Sequence, residues 1–247
     1  MAFYLSVDVG NTRTKVGEFQ ESKLEKVHYF SNDEVKKHIP LLDEMELKGL
    51  ILSSVNQEVS KSLELEDKPY PCLVLDQNTP IPLRLKYDSP DTLGKDRIAV
   101  AVACKLLHAD LDVLGIDFGT CITYDLVTKE GNYLGGAISP GIQMRFNAMN
   151  TGTASLPLIK WDPVGVKNIQ KIGTTTHSSM YSGVINGIKA EVLSFIEQYS
   201  ENRNELKVVL SGGDAEFFEK ELKNGIFADP NLVLKGLNEI LQYNLHT

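Results

Sequence analysis

Cysteine is scarce in this 247-residue sequence, which contains only Cys72, Cys104 and Cys121. The three cysteines are far apart and odd in number, and no CxxC or Cys/His pair has the spacing of a zinc site. These features argue against a disulfide framework and against a zinc centre. We expect three reduced thiols that pack as small apolar residues.

Long apolar runs, an excess of basic residues and an export signal are also lacking. No apolar run approaches the roughly 20 residues that cross a bilayer, and residues 1–9 lack the basic start of a signal peptide. The formal net charge of −8 gives no large basic surface for nucleic acid. These absences predict a cytoplasmic protein that binds neither membranes nor nucleic acid.

The common nucleotide-binding motifs are absent, since neither GxxxxGK[ST] nor a GxGxxG that joins a strand to a helix occurs. The sequence contains an internal repeat instead: residues 4–17 read YLSVDVGNTRTKVG and residues 113–126 read VLGIDFGTCITYDL. Each copy has an apolar run of strand length, then Asp-x-Gly, a turn and a second strand-like run, which predicts a β-hairpin. The duplication predicts two similar lobes, residues 1–112 and residues 113–247.

Strand-like and helix-like segments alternate in the rest of the chain, which predicts an α/β fold. We predict strands at 49–55, 72–76 and 207–210, and a strand with a Gly-rich turn within 132–140. We predict helices at 33–46, 93–108, 178–199, 214–223 and 236–243. The longest of these helices carries an apolar stripe that fits either a core or a subunit interface. The stripe is formed by Val184, Ile188, Val192, Phe195 and Ile196.

The first hairpin turn, residues 8–12 (DVGNT), offers groups that bind phosphate. Its glycine lets the backbone bend or approach a ligand, and its asparagine and threonine add donors to the main-chain N–H groups. The aspartate, at the strand tip, is placed to hold Mg²⁺ through water, and Lys15 or Arg13 to neutralise a terminal phosphate. A hairpin that only needs Gly and Asn in its turn is the alternative. The candidate phosphate and Mg²⁺ ligands are Asp8, Gly10, Asn11, Thr12 and Lys15.

The second copy repeats this turn at residues 117–121 (DFGTC), and two such tips facing each other would bind phosphates between the lobes. Paired DxGNT and DxGT hairpins, followed by a late strand that ends in Gly-Gly, resemble the actin, hexokinase and heat-shock ATPase superfamily. The resemblance implies two RNase H-like lobes with mixed sheets and a cleft between them. It also implies an adenosine contact at Ser211, Gly212 and Gly213.

Four motifs taken together resemble the type III pantothenate kinases. They are DxGNT at residues 8–12, Gly-x-Asp-Arg at 94–97, DxGTxxTxD at 117–125 and GGxIxPG at 135–141. They cover nearly the full chain in the order of that family. The resemblance implies ATP-dependent phosphorylation of pantothenate to 4′-phosphopantothenate, the first step of coenzyme A biosynthesis. It also implies a homodimer, for which the helix at 178–199 is the candidate interface element.

Phosphoryl transfer to an alcohol needs a carboxylate that accepts the hydroxyl proton late, and Asp96 suits this role. An acid that stabilises a helix N-terminus is the alternative for Asp96, and the resemblance favours the catalytic base. The resemblance further implies that pantothenate is bound by Tyr87, Gly94, Lys95, Asp96, Arg97 and Thr176.

The acceptor residues also have plainer explanations. Arg97 could form a surface ion pair with Asp88 or Asp91, and Tyr87 could be a packed edge-strand residue. Thr176 could cap the following helix, and the run of three threonines at 174–176 leaves the choice among them open.

The resemblance also implies bound cations. A monovalent cation, K⁺ or NH₄⁺, is expected at Asp117, and Thr120 is expected to contact ATP. Such a cation would offset phosphate charge in the cleft. The expected cofactors are therefore Mg²⁺ and a monovalent cation, with ATP as the phosphoryl donor.

Other functions stay open at this point. The same cleft could serve a kinase for another small alcohol, or a phosphohydrolase, although such relatives usually carry larger insertions than 247 residues allow. A third hypothesis is that the chain is a nucleotide-binding regulator or accessory factor without kinase activity. Asp96 argues against it, because a protein that only binds nucleotide needs no catalytic base.

Overall fold

The computed structural model describes residues 3–10, 13–32, 34–35, 46–54, 63, 65–163, 169–222 and 226–246. Two mixed β-sheets and the helices packed on them form the fold. The strands are β1 (Phe3–Val9), β2 (Arg13–Gln20), β3 (Lys23–Ser31), β4 (Leu47–Ser54), β5 (Cys72–Val74), β6 (Arg84–Leu85), β7 (Asp112–Phe118), β8 (Cys121–Val127), β9 (Asn132–Pro140), β10 (Leu206–Gly212) and β11 (Phe227–Ala228). The helices are α1 (Lys95–Leu107), α2 (Ile142–Thr151), α3 (Thr176–Ser200), α4 (Ala215–Leu222) and α5 (Leu232–Leu245), with 3₁₀ turns at Leu65–Asp67 and Pro90–Thr92.

The two sheets repeat one strand order, which confirms the predicted duplicated α/β fold. The first sheet has the order β3-β2-β1-β4-β5, and the second has β9-β8-β7-β10-β11 with β6 added beside β9. β1 pairs antiparallel with β2 and parallel with β4, and β7 likewise pairs parallel with β10. β1 and β7 also share a burial pattern, in which four buried residues precede a half-buried aspartate. Burial on both faces explains why their sequences are continuous apolar runs.

The chain forms two compact units, and neither is one continuous segment. The first comprises Met1–Asp110, Val127–Leu134 and Asn231–Thr247, and the second comprises Leu111–Leu126 and Gly135–Pro230. In the first unit, α5 packs closely on α1. The distance is so short that a Cβ on Gly236 would lie 1.8 Å from the carbonyl oxygen of Ala99. Only glycine permits this approach. The predicted lobes at 1–112 and 113–247 stay a prediction.

Each unit has its own apolar core. The core of the first unit includes Leu5, Val7, Val9, Val16, Leu50 and Leu52. The core of the second unit includes Leu114, Ile116, Phe146, Val184, Ile188, Val192 and Phe218. The apolar stripe of α3 is therefore used inside its own unit. It is not available to a subunit interface.

Several predicted elements agree with the observed ones to within a few residues. The predicted helices at 93–108, 178–199 and 214–223 correspond to α1, α3 and α4, and α5 begins four residues before the predicted start at 236. The predicted helix at 33–46 lies mostly outside the described residues. Among the residues that the structure describes, no helix is both long and apolar enough to cross a membrane.

The glycine pair at 135–136 differs from expectation, because it lies within strand β9 and not in a turn. A Cβ on Gly136 would lie 1.6 Å from the backbone oxygen of Tyr124. Glycine is required here so that β9 can approach β8 closely.

Candidate active site

The first hairpin places Asp8 near the tip of β1, beside the turn. In the sheet, Asp8 lies opposite Lys15 of β2 and Ser53 of β4. A half-buried carboxylate and an amine are therefore neighbours at the mouth of the hairpin. The predicted phosphate ligands Asn11 and Thr12 lie outside the described residues.

The turn is closed at Gly10, whose N–H group donates to the carbonyl oxygen of Arg13 at 3.2 Å. The side-chain amide of Asn32, the residue after β3, donates to the carbonyl oxygen of Gly10 at 3.0 Å and so stabilises the turn. The guanidinium of Arg13 lies 5.3 Å from the centre of the Tyr29 ring. Because Arg13 stacks on Tyr29, Lys15 is the better candidate for a cation beside Asp8.

The second hairpin repeats this arrangement with a turn one residue shorter. Asp117 lies at the matching place on β7, opposite Ser211 of β10. The N–H group of Gly119 donates to the carbonyl oxygen of Cys121 at 3.0 Å, so that Gly119 and Thr120 alone form the turn. A Cβ on Gly119 would lie 3.3 Å from a carboxylate oxygen of Asp117. The carboxylate thus lies over the turn glycine.

The GGxIxPG motif supports this second turn, a role that the sequence did not reveal. The N–H group of Gly141 donates to the carbonyl oxygen of Thr120 at 3.1 Å. A Cβ on Gly141 would lie 2.4 Å from the carbonyl oxygen of Gly119 and 2.6 Å from that of Thr120. Gly141 also precedes the first residue of α2, so the start of this helix packs directly on the turn.

The predicted adenosine turn lies beside the end of β7. Gly212, the last residue of β10, has a φ of +92°, and a Cβ there would lie 2.3 Å from the carbonyl oxygen of Phe118. Both the backbone conformation and this close approach require glycine. Gly213 is exposed, and the N–H group of Asp214 donates to the carbonyl oxygen of Phe118 at 3.4 Å. The second unit therefore brings Asp117 and the Gly212–Gly213 turn to neighbouring strand ends.

Each unit offers one hairpin carboxylate to a cation, Asp8 in the first unit and Asp117 in the second. Asp8 and Asp117 are half-buried oxygen donors. Within the described part of the chain, no group of three or more His, Cys, Asp or Glu side chains could hold a metal ion. Mg²⁺ in phosphoryl-transfer sites commonly keeps several waters and one or two carboxylates, so a single carboxylate such as Asp8 is compatible with Mg²⁺ held through water.

The Gly94–Arg97 element forms the start of α1 and exposes Asp96. The carboxylate oxygen Oδ1 of Asp96 accepts the backbone N–H of Arg97 at 2.9 Å. A Cβ on Gly94 would lie 2.5 Å from that same oxygen. The glycine thus leaves room for the carboxylate. This position suits both alternatives for Asp96, the acid of a helix N-terminus and the proton acceptor.

Arg97 and Tyr87, two predicted acceptor residues, are in contact. Arg97 is only 5% exposed, and its guanidinium carbon lies 5.9 Å from the centre of the Tyr87 ring. Tyr87 in turn lies 6.0 Å from the ring of Tyr133. Arg97 is therefore a buried residue whose cation lies beside an aromatic ring, and the alternative of an ion pair with Asp88 or Asp91 stays open.

Lys95 extends the charge around this element. Hydrogen bonds from Thr79 and from the backbone N–H of Asn78 lower the pKa of Asp76, and the positive charge of Lys95 lowers it further. The contribution of Lys95 is the smallest of these effects on the pKa of Asp76, which lies in the same unit.

The predicted acceptor threonine lines a pocket at the start of α3. The cap of this helix is Thr175, whose hydroxyl accepts the N–H of Ser178 at 3.1 Å in a capping box. The alternative that Thr176 caps the helix is therefore wrong, because Thr176 already lies in the first turn. Thr174 and Thr176 remain as candidate ligands. The pocket has a volume of about 570 Å³ and is lined by Met149, Leu156, Gly173, Thr174, Thr175, Thr176, Ser179 and Met180.

Sequence reasoning missed a polar cluster around Glu191 of α3. Its carboxylate accepts hydrogen bonds from Tyr124 at 3.0 Å, Ser139 at 2.5 Å and Arg145 at 2.7 Å. Burial alone would raise the pKa of Glu191, but these bonds and the charge of Arg145 lower it below its ordinary value. Burial, with the nearby carboxylate, raises the pKa of Tyr124. The cluster ties β8, β9 and α2 to α3.

The predicted site residues thus fall into two groups. The first unit contains the first hairpin, with Asp8, Gly10 and Lys15, and the Tyr87–Arg97 region. The second unit contains Asp117, Thr120 and the adenosine turn at neighbouring strand ends, and the pocket with Thr176. The expectation that the two hairpin tips, with Asp8 and Asp117, face each other and bind phosphates stays a prediction.

A family model and a similar protein point to the same family. A family model for type III pantothenate kinase matches residues 4–198. A type III pantothenate kinase from Christiangramia forsetii is 41% identical over 247 positions, which cover 97% of this chain and 98% of that protein.

Solved structures agree on the fold. A Campylobacter jejuni protein, provisionally described as a Baf family transcriptional activator, has a TM-score of 0.65 at 21% identity and covers 98% of this chain and 100% of its own. A Listeria monocytogenes protein, provisionally named an N-acetylmannosamine kinase, has a TM-score of 0.56 at 14% identity, with 98% and 99% covered. At these identities the structures support the fold alone. The sequence matches, which span nearly the whole chain, place it in the type III pantothenate kinase family.

Proposed function

We propose that this chain transfers the terminal phosphoryl group of ATP to the primary hydroxyl of pantothenate, giving ADP and 4′-phosphopantothenate. This reaction is the first step of coenzyme A biosynthesis. The observation that carries the proposal is the match of nearly the whole chain to type III pantothenate kinases. The exposed carboxylate of Asp96 at the start of α1 supports it, because the reaction needs a proton acceptor.

In the proposed reaction, the pantothenate hydroxyl oxygen forms a bond to the terminal phosphorus of ATP. The bond from that phosphorus to the bridging oxygen breaks, and ADP leaves with the electron pair. Asp96 accepts the hydroxyl proton late in the step, when the oxygen has become acidic. Arg97, whose guanidinium carbon lies 5.9 Å from the centre of the Tyr87 ring, would bind oxygens of the acceptor or of the transferring phosphoryl group.

ATP is the donor in this family, which in general also uses a divalent cation. We assign the phosphate contacts to the two hairpins and the adenosine contact to the turn after β10. The proposed ATP ligands are Asp8, Gly10, Asn11, Thr12, Lys15, Thr120, Gly212 and Gly213. Mg²⁺ would be held through water by Asp8, and K⁺ or NH₄⁺ by Asp117. These cations would supply positive charge that offsets the phosphates.

We assign pantothenate to the Gly94–Arg97 element, Tyr87 and Thr176. The geometry of the second unit supports Thr176 over Thr175, because Thr175 is engaged as the helix cap. The adjoining pocket has room for a small molecule, since its volume is about 570 Å³ and ligand pockets commonly have volumes of about 300–1,000 Å³.

A homodimer in the cytoplasm is the remaining part of the proposal. The buried stripe of α3 cannot form the interface, but the opposite face of this helix, from Ser179 to Leu193, is exposed and carries no charged residue. That face is formed by Ser179, Gly183, Gly187, Ala190 and Leu193. Small residues let two helices approach closely, so α3 stays the candidate interface element.

The test is an ADP-release assay with pantothenate and Mg²⁺, with either K⁺ or Na⁺ as the only monovalent ion. We expect release that depends on pantothenate and is faster in K⁺. If another small alcohol is phosphorylated and pantothenate is not, that alcohol is the acceptor and the proposed substrate is wrong. Binding of ADP without turnover of any alcohol would favour a nucleotide-binding regulator.

A further inference from the structure

A short segment of the second unit connects two regions of the proposed ATP site. We call residues 159–161 the Trp161 strap. The side chain of Gln143 holds both of its ends: the amide nitrogen donates to the carbonyl oxygen of Ile159, and the amide oxygen accepts the N–H of Trp161, each at 2.8 Å. Ile159 is 3% exposed. The strap is therefore fixed to α2 at two points and anchored in the core.

The strap reaches the adenosine turn through its tryptophan. The indole N–H of Trp161 donates to the carboxylate oxygen Oδ1 of Asp214 at 2.8 Å. Asp214 directly follows Gly212 and Gly213, and its own N–H donates to the carbonyl oxygen of Phe118. A hydrogen bond to a carboxylate is stronger than one between neutral groups. The indole is thus well suited to hold Asp214 in place.

The other end of the strap leads to the second phosphate turn. Gln143 lies in the first turn of α2, two residues after Gly141. Gly141 donates its N–H to the carbonyl oxygen of Thr120 at 3.1 Å. Hydrogen bonds, joined by the short chain segment 141–143, therefore link the Thr120 turn through α2 and the Trp161 strap to Asp214.

The Trp161 ring itself has aromatic neighbours. It packs edge-on against Phe217 at 5.1 Å and lies 6.3 Å from the ring of Tyr181. The ring contacts would explain an aromatic residue here. They do not require an indole N–H group directed at a carboxylate. The hydrogen bond to Asp214 is thus the feature that a purely packing role leaves unexplained.

We propose that Trp161 is a positioning residue for the nucleotide. It holds Asp214, and with it the Gly212–Gly213 turn, at the distance from the Thr120 turn that bound ATP requires. The proposal rests on the proposed function, because both turns are assigned there as ATP contacts. It adds a residue that none of the four sequence motifs contains.

The test compares the full-length wild type with Trp161→Phe, which keeps an aromatic ring and removes the donor. We expect ADP affinity, measured by calorimetry, to fall about tenfold, the effect of losing one hydrogen bond to a charged group. The KM for ATP should rise by a similar factor, and the KM for pantothenate should stay within about twofold. A role in packing alone would lower the melting temperature without this selective change.

Lys189→Met is the matched control. It breaks a 2.7 Å ion pair between α3 and Glu221, near the far end of α4, the helix that follows the adenosine turn. We expect it to leave ADP affinity unchanged. Gln143→Leu keeps the indole but removes both bonds to the strap, and it should weaken ADP binding in the same way as Trp161→Phe.

Intrinsic fluorescence gives a test that needs no variant, because Trp161 is the only tryptophan of the chain. We expect saturating ADP to change its emission in the wild type. Unchanged emission, unchanged ADP affinity of folded Trp161→Phe, or an equal loss in Lys189→Met would each overturn the proposal. A wild type that binds ADP but does not phosphorylate pantothenate would overturn only the proposed function. A wild type that does not bind ADP would overturn both.

Discussion

Asp96 occupies a position where one carboxylate can serve two purposes. Its Oδ1 atom accepts the N–H of Arg97 at the start of α1, where a negative charge also stabilises the helix. Its side chain is exposed, as a group that meets a substrate must be. The two purposes use different properties of the group. The helix needs a hydrogen-bond acceptor, and the reaction needs a base.

The substitution Asp96→Asn separates the role at the helix start from the role as catalytic base. An asparagine keeps an oxygen that can accept the N–H of Arg97, so we expect a melting temperature close to that of the wild type. It cannot accept a proton, so kcat should fall by about 10²–10⁴, with ADP affinity unchanged. Steady-state ADP release, calorimetry and thermal melting measure the three quantities.

Asp88→Asn is the control for this change, since it neutralises another exposed acid of the same region. We expect a kcat close to that of the wild type. An Asp96→Asn enzyme with a wild-type kcat would remove Asp96 as the base.

Among the structural elements, the hairpins are those that the sequence predicts best. An apolar run that ends in Asp-x-Gly is a local signal, and both hairpins are found where it occurs. The start of α1 is equally local, because Gly94 and Asp96 are close in the chain. Contacts between distant residues carry no such signal. Tyr124 and Glu191 are 67 positions apart, and Trp161 and Asp214 are 53 apart.

The Glu191 cluster shows what such a contact does for the elements. One carboxylate receives hydrogen bonds from β8, β9 and α2, and Arg145 also donates to the carbonyl oxygen of Pro140 at 2.7 Å. Pro140 precedes Gly141, which contacts the Thr120 turn. The cluster therefore stabilises the segment that supports the second phosphate turn.

The contribution of the Glu191 cluster to the stability of the folded protein should depend on pH. The pKa of Glu191 is lower in the folded protein than its ordinary value of 4.5, so the unfolded chain binds the proton more readily. The stabilising contribution is therefore complete above about pH 4.5 and is lost as the pH falls through the lower folded-state value. Glu191→Gln should lower the urea midpoint at pH 7. The difference from the wild type should shrink at about pH 3.5.

Glu197→Gln is the control, because Glu197 is an exposed carboxylate of the same helix. It should leave the urea midpoint nearly unchanged at both pH values. A Glu191→Gln midpoint that differs from the wild type by the same amount at neutral and acid pH would show that the charge of Glu191 is not the cause.

For the whole molecule, duplication explains the common plan of the two sheets. Each sheet has an antiparallel hairpin extended by parallel strands in the same order. In both, the aspartate of the first strand lies opposite a serine of the parallel strand, Ser53 for Asp8 and Ser211 for Asp117. The two carboxylates thus occupy equivalent places, one in each unit. Their proposed roles, Mg²⁺ at one and a monovalent cation at the other, follow from the family resemblance.

The homodimer can be tested on the outward face of α3. Apart from the backbone of its own helix, no described atom would lie within 4 Å of a Cβ on Gly187, so Gly187→Glu fits there without a clash. Glycine is a poorer helix former than glutamate by roughly 0.5–1 kcal/mol, and the substituted chain should fold at least as well. In a dimer joined through α3, the same change would bury a charge against the partner. We therefore expect the mass measured by light scattering to fall from dimer to monomer.

Leu106→Glu provides the comparison, because it introduces the same charge at an exposed apolar residue of α1 in the first unit. It should remain dimeric. Since Gly187→Glu favours the helix, unfolding cannot account for a loss of the dimer, and an unchanged melting profile at low protein concentration would confirm this. A monomeric wild type, or a Gly187→Glu protein that stays dimeric at every concentration, would exclude α3 as the interface.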